Sequence, residues 1–147
     1  MKINYAAVAA SAILYWLLGG LWYSPLLFGN KFISLMRWTP EQLARIEAEG
    51  ASAQLALAFV GSLVTAYVLA HIVRYAGAEN ARDGAKTGIW LWLGFIVTTN
   101  LSTIFEFRPL GLYLINMGYH LVALVSMGGL LAVWRKKRSE AKAPAYV

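Results

Sequence analysis

Residues 109–134 read PLGLYLINMGYHLVALVSMGGLLAVW, and this stretch decides the fold. It runs for 26 residues without an Asp, Glu, Lys or Arg. About 20 mostly apolar residues carry an α-helix across a hydrocarbon core roughly 30 Å thick, so the stretch is long enough to span a membrane. Three further uncharged windows precede it: 3–30 with 28 residues, 50–73 with 24 when His71 is counted neutral, and 87–105 with 19. Together the four windows hold 97 of the 147 residues. Backbone in lipid must satisfy its own hydrogen bonds, which makes helices the natural form, and there is no period-two alternation to favour a barrel.

Composition points the same way. The chain is 59% apolar and 14% charged, against about 45–50% and roughly 25% for a soluble domain. That excludes a disordered chain and argues against a soluble enzyme. There is no cysteine, which removes disulfides, thiolate metal sites and thiol redox chemistry. Lys2 precedes the first apolar window in the manner of a signal peptide. The window is longer than a signal h-region, however, and no A-x-A-like site follows it, so it reads as a retained span.

The expected architecture is all-α: one integral membrane domain, a four-helix bundle with spans at about 5–23, 51–75, 84–105 and 111–134. Four spans put both termini on one side. That side carries Lys2, Arg74, Arg82, Lys86, Arg135, Lys136, Lys137, Arg138 and Lys142, nine basic residues against the four of the other side, Lys31, Arg37, Arg45 and Arg108. The excess predicts cytoplasmic termini. Much of the net charge of +6 sits in the basic tail, 135–147. Such a block beside a span sets topology and meets anionic lipid headgroups. No folded basic module accompanies it, so nucleic acid is not an expected partner. Four short spans bury modest area, which leaves a homo-oligomer open.

The first outer connection, 24–49, is the longest. Residues 30–38 mix Phe32, Ile33, Leu35, Met36 and Trp38 with Lys31 and Arg37, a pattern suited to lying along the membrane surface. Thr39-Pro40-Glu41-Gln42 then offers an N-cap, a proline at the first helical position and a capping box. A short amphipathic or polar helical segment should run from there to about Ala48 and stop at Gly50. In the spans, Ala58, Ser62, Ala66 and Ala70 form a small-residue stripe, and Gly84 and Gly88 form a G-x-x-x-G pattern found at helix–helix and dimer contacts.

Polar residues inside spans are where chemistry concentrates. No Asp, Glu, Lys or Arg lies at mid-membrane. His120 falls about nine residues below the outer end of its span and His71 about twenty below that of its own, a depth difference of roughly 16 Å. Zinc holds its histidine nitrogens at about 2 Å, so the two cannot share a metal in one subunit. No metal or cofactor is expected. Tyr113, Asn116 and His120, spaced i, i+3, i+7, share one face of the last span. Asn100 ends the third span, Glu106 and Arg108 follow in a short connection, and Trp22, Tyr23 and Ser24 end the first span at the same depth. With Tyr119, these make the candidate outer pocket: Trp22, Tyr23, Ser24, Asn100, Glu106, Arg108, Asn116, Tyr119 and His120. A neutral imidazole there can accept or pass a proton near pH 7. The same residues can equally act as packing contacts, since interhelical hydrogen bonds in membranes are worth about 0.6 kcal/mol on average.

Two runs carry a resemblance. Gly20-Leu21-Trp22-Tyr23-Ser24-Pro25-Leu26-Leu27-Phe28-Gly29 is one. Phe105-Glu106-Phe107-Arg108-Pro109, followed by Leu114-Ile115-Asn116-Met117-Gly118-Tyr119-His120, is the other. With Gly128-Gly129 and Trp134-Arg135 they resemble the signatures of the bacterial membrane family called domain of unknown function 1761. The resemblance covers nearly the whole chain. It implies four spans in a bacterial inner (plasma) membrane and supplies no activity. Three readings therefore stand. The first is an outward-facing pocket that binds or passes a small solute, an anionic one included. The second is an accessory or scaffold subunit whose polar residues only hold the bundle together. The third is a small membrane enzyme using Glu106 and His120 as acid and base, which lacks an accompanying nucleophile or metal set.

Overall fold

The computed structural model describes residues 3–134. The basic tail expected at 135–147 lies outside the described residues. The described chain is all helix and connection, without a strand. Asn4 opens α1 (Tyr5–Trp22). Its side-chain oxygen accepts from the Ala6 and Ala7 N–H groups at 3.2 and 3.4 Å, satisfying two of the donors that a helix start leaves unpaired. The same Asn4 amide donates to the Trp134 carbonyl at 2.9 Å, tying the first helix to the end of the last.

After α1 the chain doubles back sharply. Phe28 N–H reaches the Trp22 carbonyl at 3.0 Å and Gly29 N–H reaches Ser24 at 2.9 Å. A Cβ on Gly29 would run into the backbone of Tyr23 and Ser24, so the turn needs glycine. It leads into α2 (Gly29–Met36), which ends at Arg37 in the left-handed region, φ 51°. The expected short helix follows as α3 (Pro40–Glu49). Both halves of its capping box form: Gln42 N–H donates to Thr39 Oγ1 at 3.3 Å, and Thr39 N–H donates to Gln42 Oε1 at 2.9 Å. Gly50, at φ +66°, closes it. None of the α3 side chains is buried.

Next comes α4 (Ser52–Tyr75). It stops in a Schellman motif around Gly77, φ +66°. Ala78 N–H reaches the Val73 carbonyl at 3.2 Å and Gly77 N–H reaches Arg74 at 3.1 Å, which pairs carbonyls the helix end would otherwise leave free. Asn80 then caps α5 (Ala81–Leu91), accepting from Asp83 N–H at 3.0 Å.

The third expected span differs from a single α-helix over 84–105. The Asn80 cap starts α5 at Ala81, and a π-helical stretch, Trp92–Val97, continues it. Thr98 Oγ1 donates to the Gly94 carbonyl at 2.7 Å and Asn100 Nδ2 to Ile96 at 2.9 Å. Polar side chains that bond to nearby backbone in this way compete with regular helix and help to end it. One further turn, α6 (Ser102–Phe105), precedes α7 (Leu110–Val133).

Among the described residues three helices are long and apolar enough to cross a membrane: Tyr5–Trp22, Ser52–Tyr75 and Leu110–Val133. At 1.5 Å per residue they are about 27 to 36 Å long. α7 is the hub, packing on α1, α4, α5 and α2. The core is built from small residues at the crossings and larger ones between them: Ala7, Ala12, Ala66 and Ala70 beside Leu69, Val73, Leu124, Met127 and Leu131. Small residues let helices approach closely where lipid removes most of the hydrophobic drive between them. Ser62, Ala66 and Ala70 of the small-residue stripe are buried, while Ala58 is exposed. The G-x-x-x-G pattern is likewise spent within the chain. A Cβ on Gly84 would strike the Gly128 carbonyl and one on Gly88 the Leu124 carbonyl, so α5 and α7 meet backbone to backbone.

Candidate functional site

α1 and α7 cross towards the C-terminal end of α1, and four of their polar side chains meet there as two pairs. Tyr15, Gly19 and Tyr23 recur every four residues on α1 and its end, so they share one face. Asn116, Tyr119 and His120 occupy the facing side of α7. Tyr23 donates from its hydroxyl to Asn116 Oδ1 at 2.9 Å. The Tyr15 hydroxyl lies 2.9 Å from His120 Nδ1. Tyr119 donates to the Tyr15 carbonyl at 3.1 Å, and Trp22 Nε1 donates to the Ile115 carbonyl at 3.1 Å.

Aromatic contacts reinforce the crossing. Tyr15 and Tyr119 stack at 5.2 Å, and the Tyr23 and Tyr119 rings meet edge to face at 5.5 Å. Pairs in such geometries add about 0.5–1.5 kcal/mol beyond area burial. Two glycines make room. A Cβ on Gly19 would come within 2.9 Å of the Tyr119 hydroxyl, and one on Gly118 within 3.0 Å of the Trp22 ring. The turn after α1 and the α2 helix cover this end, with Phe28 packed at 4.8 Å from Trp22 and Phe32 at 4.9 Å from Tyr23.

The hydrogen bonds also set donor and acceptor roles. The Tyr15 hydroxyl has both His120 Nδ1 and the Tyr119 side chain as hydrogen-bond partners, and which nitrogen of the neutral His120 ring carries the proton follows from which of the two accepts from it. Tyr23 occupies Asn116 Oδ1, which leaves the Asn116 amide NH₂ as two donors. Neither His120 Nε2 nor Asn116 Nδ2 has a partner among the described residues. Ser11 Oγ is the one side-chain polar atom there that is both fully enclosed and unpaired, so those two nitrogens reach the molecular surface.

The structure thus brings together Trp22, Tyr23, Asn116, Tyr119 and His120 of the expected pocket. It does not join the rest to them. Glu106 and Arg108 pair with each other at 3.5 Å, with side chains 59% and 43% exposed, on the rim before α7. His120 lies ten residues into α7, about 15 Å along its axis from Leu110. An acid–base pair must meet directly or through one water, and no Glu106–His120 contact exists among the described residues. Asn100 is turned back on its own helix, and Ser24 bonds the Leu21 carbonyl at 2.7 Å within its own turn. Tyr113 turns away to the Val97 carbonyl at 3.2 Å.

Tyr15 is the residue that sequence reasoning missed. It sits in the middle of an apolar span, and its signal was the four-residue spacing with Gly19 and Tyr23. Trp92, which by sequence reads with Trp90 and Phe95 as lipid-facing packing, instead donates its indole N–H to the Met117 carbonyl at 2.9 Å, pinning the π-helical stretch to α7. No group of three or more His, Asp or Glu side chains able to hold a metal occurs among the described residues. A separate apolar groove of about 370 Å³ runs between α4 and the π-helical stretch, lined by Val64, Val68, Ile72, Leu91, Phe95 and Ile96 among others. It includes none of the α1–α7 polar residues.

No curated protein and no solved structure matches this chain. A family model does, over residues 6–132, and that span takes in both α1 and α7 with the whole polar crossing between them. By this match the chain belongs to the family of proteins of unknown function DUF1761.

Proposed function

We propose that this chain is a four-span membrane protein with cytoplasmic termini that binds a small neutral solute through Asn116 and His120, in the outer half of the bundle. The observation that carries the reading is the pair of unpartnered nitrogens. Each belongs to a side chain held in place by a tyrosine of α1, and each still reaches the surface, where it is free to bond a solute. Three long apolar helices, together with α5 and its π-helical continuation along α7, support the four-span path, and the basic residues support the orientation. The Glu106–Arg108 ion pair balances its own charge at the rim, which favours a neutral solute over an anionic one.

Deuterium exchange at the His120 C2 hydrogen, read by mass spectrometry on the folded protein in native vesicles, tests this, because that exchange needs a ring open to solvent whichever nitrogen carries the proton. His120 should exchange without denaturant. A second reading makes the cluster a helix clasp only, and it draws on the fact that the hydroxyls and indole here all have partners. It predicts a His120 that exchanges only once the protein is unfolded, and that result would overturn the binding site.

A further inference from the structure

We infer that α2 and α3 form a docking face for a second copy of this chain, with α2 of each copy lying against α3 of the other. The inference stands apart from the Asn116–His120 reading. It starts from α3. A capping box and the Gly50 stop hold its 10 residues in a helix, yet none of its side chains is buried. No other helix of the described chain packs substantially on it. A helix this short is marginal in water on its own. Leu43 and Ile46 stay 40% and 44% exposed, one turn apart, and Glu47 shares their side of the helix.

Charge names the partner. α3 carries Glu41, Glu47 and Glu49 against Arg45 alone. Arg45 is taken up by Glu49 at 3.7 Å, which leaves Glu41 and Glu47 without an ion pair among the described residues. Glu47 and Glu49 also stand in the last turn, where the helix dipole disfavours acids. Nothing inside α3 accounts for them. α2 and its cap have the opposite sign. Lys31 and Arg37 are exposed there, with no acid beside them and no ion pair among the described residues. Phe32 turns onto Tyr23 and Leu35 lies beside Gly111. Ile33 is left 51% exposed, with Arg37 one turn further along its side. Each helix thus offers an aliphatic side chain next to a charge, and the two charges are opposite.

A bilayer surface does not fit α3, because such surfaces attract basic segments and the helices that lie on them carry Lys and Arg. The chain's own α2 is already committed to α7. A second copy does fit. Both helices lie between α1 and α4, so two copies in one membrane present them on the same side and at the same height, whichever way the chain is inserted. A two-fold axis along the membrane normal then sets α2 on α3 twice over, as a self-complementary interface requires. Arg37 of each copy meets Glu47 of the other, with Ile33 against Leu43 and Ile46.

The natural chain has no cysteine, so introduced ones report contact between copies. Full-length chains carrying Ile33→Cys with one affinity tag and Ile46→Cys with another are reconstituted together in phosphatidylcholine vesicles and oxidised with copper phenanthroline. A disulfide joining the two tags is expected, at a yield that holds when the lipid-to-protein ratio is raised about tenfold. Glu47→Arg in both chains sets like charges together and should cut that yield about fivefold. Arg37→Glu added to both should restore it to within about twofold, which a misfolded variant could not do. A yield that falls in proportion to lipid dilution, or that ignores the charge changes, overturns the inference. So does a chain with both Ile33→Cys and Ile46→Cys that closes a disulfide within itself and none between copies, since α3 would then lie on its own α2. Strong quenching of a fluorophore on Ile46→Cys by headgroup-spin-labelled lipid would place α3 on the bilayer and overturn it as well.

Discussion

Ser11 is fully buried between α1 and its neighbours, yet its hydroxyl has no hydrogen-bond partner among the described residues. An enclosed, unpaired polar atom costs about 1–3 kcal/mol. Ser11→Ala keeps the small size that the crossing needs and removes the hydroxyl, so it should stabilise the fold by about 1 kcal/mol. Denaturant titration in detergent reads this directly; a loss of stability would show that the hydroxyl serves a partner in the bilayer. Tyr23→Phe removes one interhelical bond and should cost about 0.6 kcal/mol, in the same assay. At this scale the sequence was legible wherever a residue announced itself by type and position, as Asn116, His120 and Tyr23 do in otherwise apolar runs. It was not legible at Tyr15, because a tyrosine inside a span is unremarkable until the opposite helix supplies His120. Nor did it separate Glu106 and Arg108 from the cluster. Closeness in sequence to the start of α7 placed them at the right end of the bundle, but their long side chains reach each other at the exposed rim.

Among the elements, the contact between α5 and α7 is the most exacting, because backbone meets backbone at Gly84, Gly88 and Gly128. Gly84→Ala or Gly128→Ala must push the helices apart, and a loss of about 1–3 kcal/mol is expected, as for other overpacked cores. Gly61, in the middle of α4, faces open space. Gly61→Ala should therefore be neutral or mildly stabilising, by up to about 1 kcal/mol. Thermal unfolding of the three variants side by side checks both expectations. The α3 helix was readable to within a residue, since Thr39, Pro40, Gln42 and Gly50 act through local backbone geometry alone. Thr39→Ala should lower its helicity at a cost of about 0.5–2 kcal/mol, seen as faster amide exchange over α3. The π-helical stretch was not readable. Its cause is a contest for carbonyls among Thr98, Thr99 and Asn100, together with the Trp92 bond to α7, and hydropathy is blind to both.

The whole molecule turns on the placement of its charge. Nine basic residues against four set the proposed orientation, so a reporter fused after residue 147 should be active only in the cytoplasm, and a label placed in α3 should be accessible only from outside. An external C-terminal reporter would reverse the topology and move the Asn116–His120 site to the cytoplasmic half. What the sequence determined by itself is what one-dimensional physics can determine. The uncharged runs are long enough for helices that lipid compels, local caps mark where some of them start and stop, and mid-membrane is left empty of formal charge. What only the tertiary structure decided is which faces meet. In a span that is apolar all round, periodicity cannot choose a face, because lipid and protein interior are nearly equivalent surroundings. The choice falls to close packing at glycine, alanine and serine, and to the few bonds that set Tyr15 on His120 and Tyr23 on Asn116.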